Sequence, residues 1–399
     1  MIVMSIMAES LSSVWWIASA ALIAPILSLI TRRAVPDVVW LLVLGVLIGP
    51  HGLRLAQETE SVEFLRELGI GFLFLLAGFE VDTARMRARA GRRAAVTWLI
   101  SAVLATGAGM ILFWGKPSAA VVFGIASTST ALGALLPIIK DAGLGASGFG
   151  QSVMVHGAWG ELLPIMAMAL LLSARATWAS ALVLLLFMVA ALVTVILPKR
   201  FFQRIPLLGR AFAAASNSTM QTTVRLSVWV LISLMLMAVV LDLDVALGAF
   251  AAGLLLSRGF ATVSLEQSTE VMHKLEMVGF SLLIPVFFVT SGMAIDVGAV
   301  IERWPFLLAF VAGVALFRGV PVFVMEWVLH RNASFEPRQA ASLAFFVSTG
   351  LPIIVAVTQL AVAGQLISPD TASFMVTGGA ITVLVFPYVA TRLMRPRSA

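Results

Sequence analysis

Long apolar runs, each bounded by charge or by turn residues, recur along the whole chain, and they leave few folds open to it. Thirteen such runs can be read: Leu11–Ile30, Val38–Gly49, Phe64–Phe79, Ala94–Trp114, Ser118–Ile139, Phe149–Ser173, Trp178–Leu197, Thr222–Leu241, Val245–Ser257, Leu275–Gly292, Trp304–Leu329, Pro337–Ala363 and Thr371–Leu393. About 20 residues at ~1.5 Å rise span ~30 Å of hydrocarbon, so most of these runs suffice to cross a bilayer as helices. Hydrocarbon supplies no hydrogen-bond partners, so a crossing segment must satisfy its own backbone. Of 399 residues, 60% are hydrophobic and 12% charged, and the mean hydropathy is +1.04. The expected class is an all-α, polytopic membrane protein of about thirteen helices. The first run follows Glu9, has no Lys or Arg before Arg32 and is long, so it reads as a membrane helix rather than a cleaved leader.

The charges give the orientation. With the N-terminus outside, 20 of the 26 Lys and Arg fall on the cytoplasmic side, in the alternate loops and the C-terminal tail. Five fall outside: Arg54, Arg66, Lys116, Arg175 and Arg303. That bias follows the positive-inside rule, and it explains a net charge of +6 with no need for a nucleic-acid partner. With no cysteine, disulfides, thiolate metal sites and cysteine nucleophiles are excluded. No ATP-binding motif, cofactor motif or H-E-x-x-H metal helix is present, so no enzyme and no cofactor are expected.

The chain repeats itself. GIGFLFLLAGFEVD (Gly69–Asp82) resembles GFSLLIPVFFVTSGMAID (Gly279–Asp296), both ending Gly, large apolar, any residue, β-branched aliphatic, Asp. The second and ninth runs are both short. The fifth carries Ser127-Thr128-Ser129-Thr130 with Gly133 and Pro137, and the twelfth Ser348-Thr349-Gly350 with Pro352. Runs one to six thus match eight to thirteen, with opposite topology, and the basic stretch Pro198–Gln221 divides the halves. Such inverted repeats with helices broken at matching positions are the plan of secondary transporters.

The sixth run holds Glu161 near mid-membrane, beside Gly157, Gly160 and Pro164. A carboxylate there costs ~2.5–3.5 kcal/mol on insertion scales, so it needs a partner, a proton or a cation. Pro164 lacks the N–H that would bond to Gly160, which frees the Gly160 carbonyl beside the acid. The hydroxyls of Thr128, Ser129, Thr130, Ser348 and Thr349 are hard oxygen ligands for a monovalent cation; alternatively they bond back to their own helices. Arg318, deep in the eleventh run, either pairs with Glu161 or caps the carbonyl end of a broken helix. His156 points about 140° away from Glu161 around the helix; it reads as a satisfied core histidine or as a pH sensor. Glu80, Asp82, Asp242, Asp244, Asp296 and Glu326 read as caps or interfacial charges.

These motifs, with PDVVWLLVLGVLIGPHGL, ALGAFAAGLLLS and STGLPIIVAV, resemble the monovalent cation/proton antiporter superfamily over the whole chain. The relevant branch holds bacterial sodium/proton exchangers and glutathione-gated potassium efflux transporters. The resemblance implies two crossed, unwound helices in a moving core (94–177 and 304–399), a dimerising scaffold (1–93 and 222–303) and a bridge over 178–221. It implies Glu161 as the acid that shares Na+ or K+ with protons, and Arg318 as the basic residue of the core. Where the family usually has Asn, Asp or Gln before the acid, this chain has Gly160. The nucleotide-binding domain that many potassium members carry after the last helix has no counterpart within these 399 residues. The expected protein is a homodimeric antiporter of the cytoplasmic membrane; a cation channel or a non-transporting sensor on the same fold are the alternatives.

Overall fold

The computed structural model describes residues 2–31, 35–81, 83–132, 135, 139, 144–145, 147–171, 185, 187, 189, 222–261, 265–329 and 335–394. The helices are α1 Ile2–Ile30, α2 Asp37–Ile48, α3 Glu60–Glu80, α4 Thr83–Arg87, α5 Arg89–Leu112, α6 Pro117–Thr128, α7 Gly148–Leu171, α8 Thr222–Val240, α9 Val245–Ala261, α10 Leu265–Val278, α11 Ile284–Met293, α12 Val297–Glu302, α13 Trp304–Val314, α14 Val320–Phe323, α15 Pro337–Val347, α16 Leu351–Ala363 and α17 Pro369–Met394. No strand occurs among the described residues. Eight helical stretches among them are long and apolar enough to cross a membrane, and α2, α6 and most of α9 are shorter apolar helices. Twelve of the thirteen apolar runs coincide with helices. The seventh, Trp178–Leu197, lies outside the described residues apart from Leu185, Phe187 and Val189, so the number thirteen rests on the sequence. Lys140 and Asp141 also lie outside them.

Two of the long spans are not uniform α-helices. Residues Gly279–Leu283 form a π-helical turn between α10 and α11, and Ala315–Gly319 and Val324–Leu329 form π-helical turns on either side of α14. Pro321 sits in the first turn of α14, where it has no N–H to give to the preceding turn. Wide turns of this kind occur mostly as local insertions, frequently at functional sites.

The chain divides into two compact units. One comprises Met1–Glu63, Asp82–Met168 and Phe288–Ala399; the other comprises Phe64–Val81 and Ala169–Phe287. In the larger unit α5 packs on α6, α6 on α16, and α17 on α13, α15 and α16. Its core includes Leu135, Ile139, Phe149, Val153, Val322, Leu343, Phe346 and Val347. Phe123 of α6 stacks edge-on against Phe310 and Phe317. Outward faces are apolar, as lipid contact requires: Leu22 and Val103 are 70% and 71% exposed.

The repeat is visible as one helix crossing made twice. In the larger unit α2 meets α11 so closely that a Cβ on Gly45 would strike the Val289 carbonyl, and one on Gly292 the Leu42 carbonyl. In the smaller unit α9 meets α3 in the same way, Gly253 against the Leu75 carbonyl and Gly78 against the Phe250 carbonyl. Gly45, Leu42, Val289 and Gly292 correspond in spacing to Gly253, Phe250, Leu75 and Gly78. Two fused halves of opposite topology generate such a pair of crossings. Hydrocarbon offers no driving force of its own between helices, so association depends on small residues that let backbones approach.

A methyl group at these crossings meets backbone, which cannot rotate away. Gly253→Ala and Gly292→Ala are each expected to destabilise by about 1–3 kcal/mol, read as a lowered thermal unfolding midpoint in detergent. Gly107 has nothing within 4 Å of its Cβ position. Gly107→Ala is expected to leave the midpoint unchanged or slightly raised.

Candidate functional site

All site residues named below lie in the larger unit. Helix α6 ends at Thr128, and Ser129 turns into extended backbone. Helix α15 ends at Val347, and α16 restarts at Leu351 after Ser348, Thr349 and Gly350. The two unwound stretches cross. Ala131 N–H donates to the Thr349 carbonyl, and Ser129 Oγ donates to the Gly350 carbonyl at 3.1 Å. A Cβ on Gly350 would collide with Ser129, so glycine is required by the crossing itself. Ser127, Thr128, Ser129, Thr130, Ser348 and Thr349 are all buried, at 1% exposure or less.

Each broken end exposes backbone groups and a partial charge, positive at a helix N-terminus and negative at a C-terminus. The carbonyl ends are covered by donors. Trp98 Nε1 of α5 donates to the Thr128 carbonyl at 3.1 Å. The Val347 carbonyl takes the Thr130 hydroxyl and Arg318 Nε, the latter at 3.4 Å. On the amide side, Leu132 N–H donates to Glu161 Oε1 at 2.6 Å. A carboxylate meets the amide side of the crossing and a guanidinium the carbonyl side, so side-chain charge opposes backbone dipole at each end.

Helix α7 holds the acid in place. Pro164 lies inside it, and the carbonyl that it leaves free, that of Gly160, accepts Thr130 N–H at 2.9 Å. A Cβ on Gly160 would collide with Thr130 and crowd Arg318 Nη2, and one on Gly157 would crowd Leu132. The glycines therefore let the unwound stretch lie directly on α7. Glu161 itself is 4% exposed.

Arg318 is fully buried, and the π-helical turn Ala315–Gly319 carries it. Its Nη2 donates to the His156 carbonyl at 2.9 Å and to Thr130 Oγ1 at 3.1 Å. Of the two expectations for this residue, capping a broken helix is the one these bonds fit. Nη1 has no hydrogen-bond partner among the described residues.

The structure brings Ser129, Thr130, Gly160, Glu161, Thr349 and Arg318 to one crossing. The hydroxyls of Thr128 and Ser348 point back along their own helices, to the carbonyls of Gly124 and Ala344 at 2.7 Å each. Thr349 does so weakly, to Phe345 at 3.5 Å. His156 lies elsewhere, with Nε2 3.2 Å from Glu326 Oε1. Asp244 and Asp296 cap α9 and α12 through the N–H groups of Ala246 and Ala299, as expected. Glu326 is no cap or interfacial charge; it is 4% exposed, inside the protein.

Sequence reasoning missed three parts of this arrangement. Leu132 contributes only its N–H, which no side chain reveals. Trp98 looks like any apolar residue of α5. Glu326 lies a few residues from the end of its apolar run, and only the buried His156 opposite it would have signalled otherwise.

Comparison with known proteins comes down on one side. Residues 18–395 match the family model described as sodium/hydrogen exchanger, transmembrane. YjbQ of Bacillus subtilis is 23% identical over 97% of this chain and 63% of its own length. The glutathione-regulated potassium-efflux system protein KefC of Salmonella typhi is 26% identical over 96% of this chain and 60% of its own. The chain thus spans about three fifths of the length of these curated relatives. The sodium proton antiporter MjNhaP1 from Methanocaldococcus jannaschii shares the fold, with a TM-score of 0.70 at 16% identity over 97% of this chain and all of that one.

Removing the guanidinium strips donors from Val347, His156 and Thr130 at once, and hydrogen bonds to a charged group are each worth about 1.5–3 kcal/mol. Arg318→Ala is expected to lower the thermal unfolding midpoint markedly. Arg318→Lys keeps the charge but loses the fork of donors, and is expected to fall between Ala and wild type. Equal midpoints for wild type and Arg318→Ala would remove the capping role.

Proposed function

The chain belongs to the sodium/hydrogen exchanger family, a family of transporters rather than enzymes, and from that premise we propose that it exchanges Na+ or K+ for protons by alternating access. The observation that carries the reading is Glu161, a buried carboxylate seated where two unwound helices cross. One carboxylate can be neutralised by a proton or by a monovalent cation, but not by both. Hydroxyl and carbonyl oxygens of residues 129–131 and 348–350 are at hand to replace part of the cation's hydration shell. Arg318 stays charged, so it offsets the site's charge without competing for the transported proton.

Coupling then follows from desolvation. Carrying a bare carboxylate through the membrane centre costs ~2.5–3.5 kcal/mol on insertion scales, which makes the empty crossing about a hundred times rarer than the occupied one. Loaded with either ion, Glu161 is neutralised and the core can move. In this reading 94–177 and 304–399 move against a scaffold of 1–93 and 222–303, joined by 178–221, and the scaffold forms a homodimer in the lipid bilayer. The cytoplasmic membrane, with the N-terminus outside and the C-terminus inside, is the location that the charge bias supports. No nucleic acid and no cofactor take part.

Glu161→Gln keeps the size of the side chain but holds neither proton nor cation. Cation-driven proton flux in proteoliposomes, with Na+, K+ and Li+ tested separately, is expected to vanish in this variant while its thermal unfolding stays cooperative. Coupled flux persisting in Glu161→Gln would sink the single-carboxylate mechanism. Cation current without uphill coupling in the wild type would favour a channel, and neither current nor flux a sensor.

A further inference from the structure

Beyond the crossing lies a second pair of buried ionisable groups that the exchange mechanism above does not use. His156 and Glu326 are 2% and 4% exposed, and Nε2 and Oε1 stand 3.2 Å apart. Glu326 lies in the π-helical turn Val324–Leu329, as Arg318 lies in the preceding one. These two wide turns direct the polar residues of one otherwise apolar span toward α7. Arg93 Nη1 of α5 lies 3.9 Å from Glu326 Oε2, and the Arg93 side chain is 28% exposed. The far end of the assembly is the His156 carbonyl, which takes the Arg318 guanidinium at 2.9 Å. A chain of contacts therefore runs from a partly exposed arginine, through a carboxylate and an imidazole, to the residue that caps the crossing.

We propose that the His156–Glu326 pair is a second proton-binding site, distinct from Glu161, whose occupancy weakens cation binding at the crossing and whose proton is not transported. The inference rests on the exchange reading above. Imidazole is the side chain whose ordinary titration falls within the physiological range. A neutral imidazole beside a carboxylate holds one hydrogen bond between them; a further proton makes an imidazolium–carboxylate ion pair. His156 Nδ1 has no hydrogen-bond partner among the described residues, so the ring has a nitrogen available for that proton. The charged groups facing the pair are Arg93 from α5 and Arg318 from the neighbouring π-helical turn. Before the proton binds, Glu326 offsets one of the two arginines. Afterwards a third positive charge stands among them in a low-dielectric core, where charges act on one another far more strongly than in water. That charge lies on the same helix as Glu161, and its field opposes a cation arriving there. On the orientation proposed above, Arg93 marks the cytoplasmic end, so the pair reports cytoplasmic pH.

The two kinds of proton differ in slope. Competition at one carboxylate raises the apparent KM for cation by at most about tenfold per unit fall in pH, since one proton excludes one cation. A second, coupled proton makes the rise steeper. In proteoliposomes with Na+, and with K+ and Li+ in parallel, wild type is expected to exceed tenfold per unit over part of the range. His156→Gln, whose amide can still reach Glu326, and Glu326→Gln are expected to fall back to the tenfold limit. Charge moved per cycle is expected to be the same in all three. A wild-type slope that never exceeds the limit overturns the proposal, as do variants that keep the wild-type slope. A changed charge per cycle also overturns it, because the pair would then carry a transported proton. Should Glu326→Gln fail to fold, the wild-type and His156→Gln slopes decide. Should no cation drive flux, the exchange reading fails, and the titration of His156 by 15N-histidine NMR still tests the second site. A resonance that shifts with pH over about 5.5–9 in wild type, and shifts differently in Glu326→Gln, supports it; an invariant resonance overturns it.

Discussion

Backbone that leaves the helix inside a membrane must find its hydrogen bonds within the protein, and this requirement shapes the centre of the fold. Two breaks meet here, and each answers part of the other's need: Ala131 N–H to the Thr349 carbonyl, Ser129 Oγ to that of Gly350. What remains is supplied from outside the pair. Trp98 and Arg318 cover carbonyls, Glu161 covers an amide, and Gly160 offers the carbonyl that Pro164 releases. The residues that make the site reactive are thus the residues that make the breaks tolerable. An acid in such a place is held by structure before any ion arrives.

The same economy appears in the frame around it. A crossing between α2 and α11 is made again between α9 and α3, with a pair of glycines admitting a pair of carbonyls each time. Repetition of a contact that tolerates no Cβ explains why the two halves keep recognisable motifs around these residues. LLAGFEVD and VTSGMAID carry the glycines of α3 and α11, whereas the apolar residues between them are free to vary in shape.

Much of this was legible in the residues themselves. Apolar run length set the class, and Glu161 within such a run marked the site, because a carboxylate there has no innocent explanation. The paired hydroxyl clusters with Gly and Pro marked both breaks. What escaped is of another kind. The partner of Glu161 among the amides is a leucine N–H, and backbone carries no sequence signature. Glu326 was read as interfacial because α-helical spacing places it toward the end of its run, whereas wide turns alter which face a residue presents. Thr128 and Ser348 turn to their own helices, since a hydroxyl within reach of the fourth carbonyl back needs no other partner.

The wide turns of the Trp304–Leu329 span also bear on how such a chain can change over generations. A π-helical turn accommodates one residue more than the α-helical turn that it replaces. Loss of a single residue from Ala315–Gly319 would leave an unbroken helix of the same apolar character, still able to cross the bilayer. Everything C-terminal to the loss would nevertheless swing by about 100° around the axis, carrying Glu326 from its place opposite His156. One codon deleted or restored could therefore disconnect or reconnect a buried charge while hydropathy along the span scarcely registered it. Aligning relatives by apolar content alone would pass over such an event, and the lengths of these segments hold information that their composition does not.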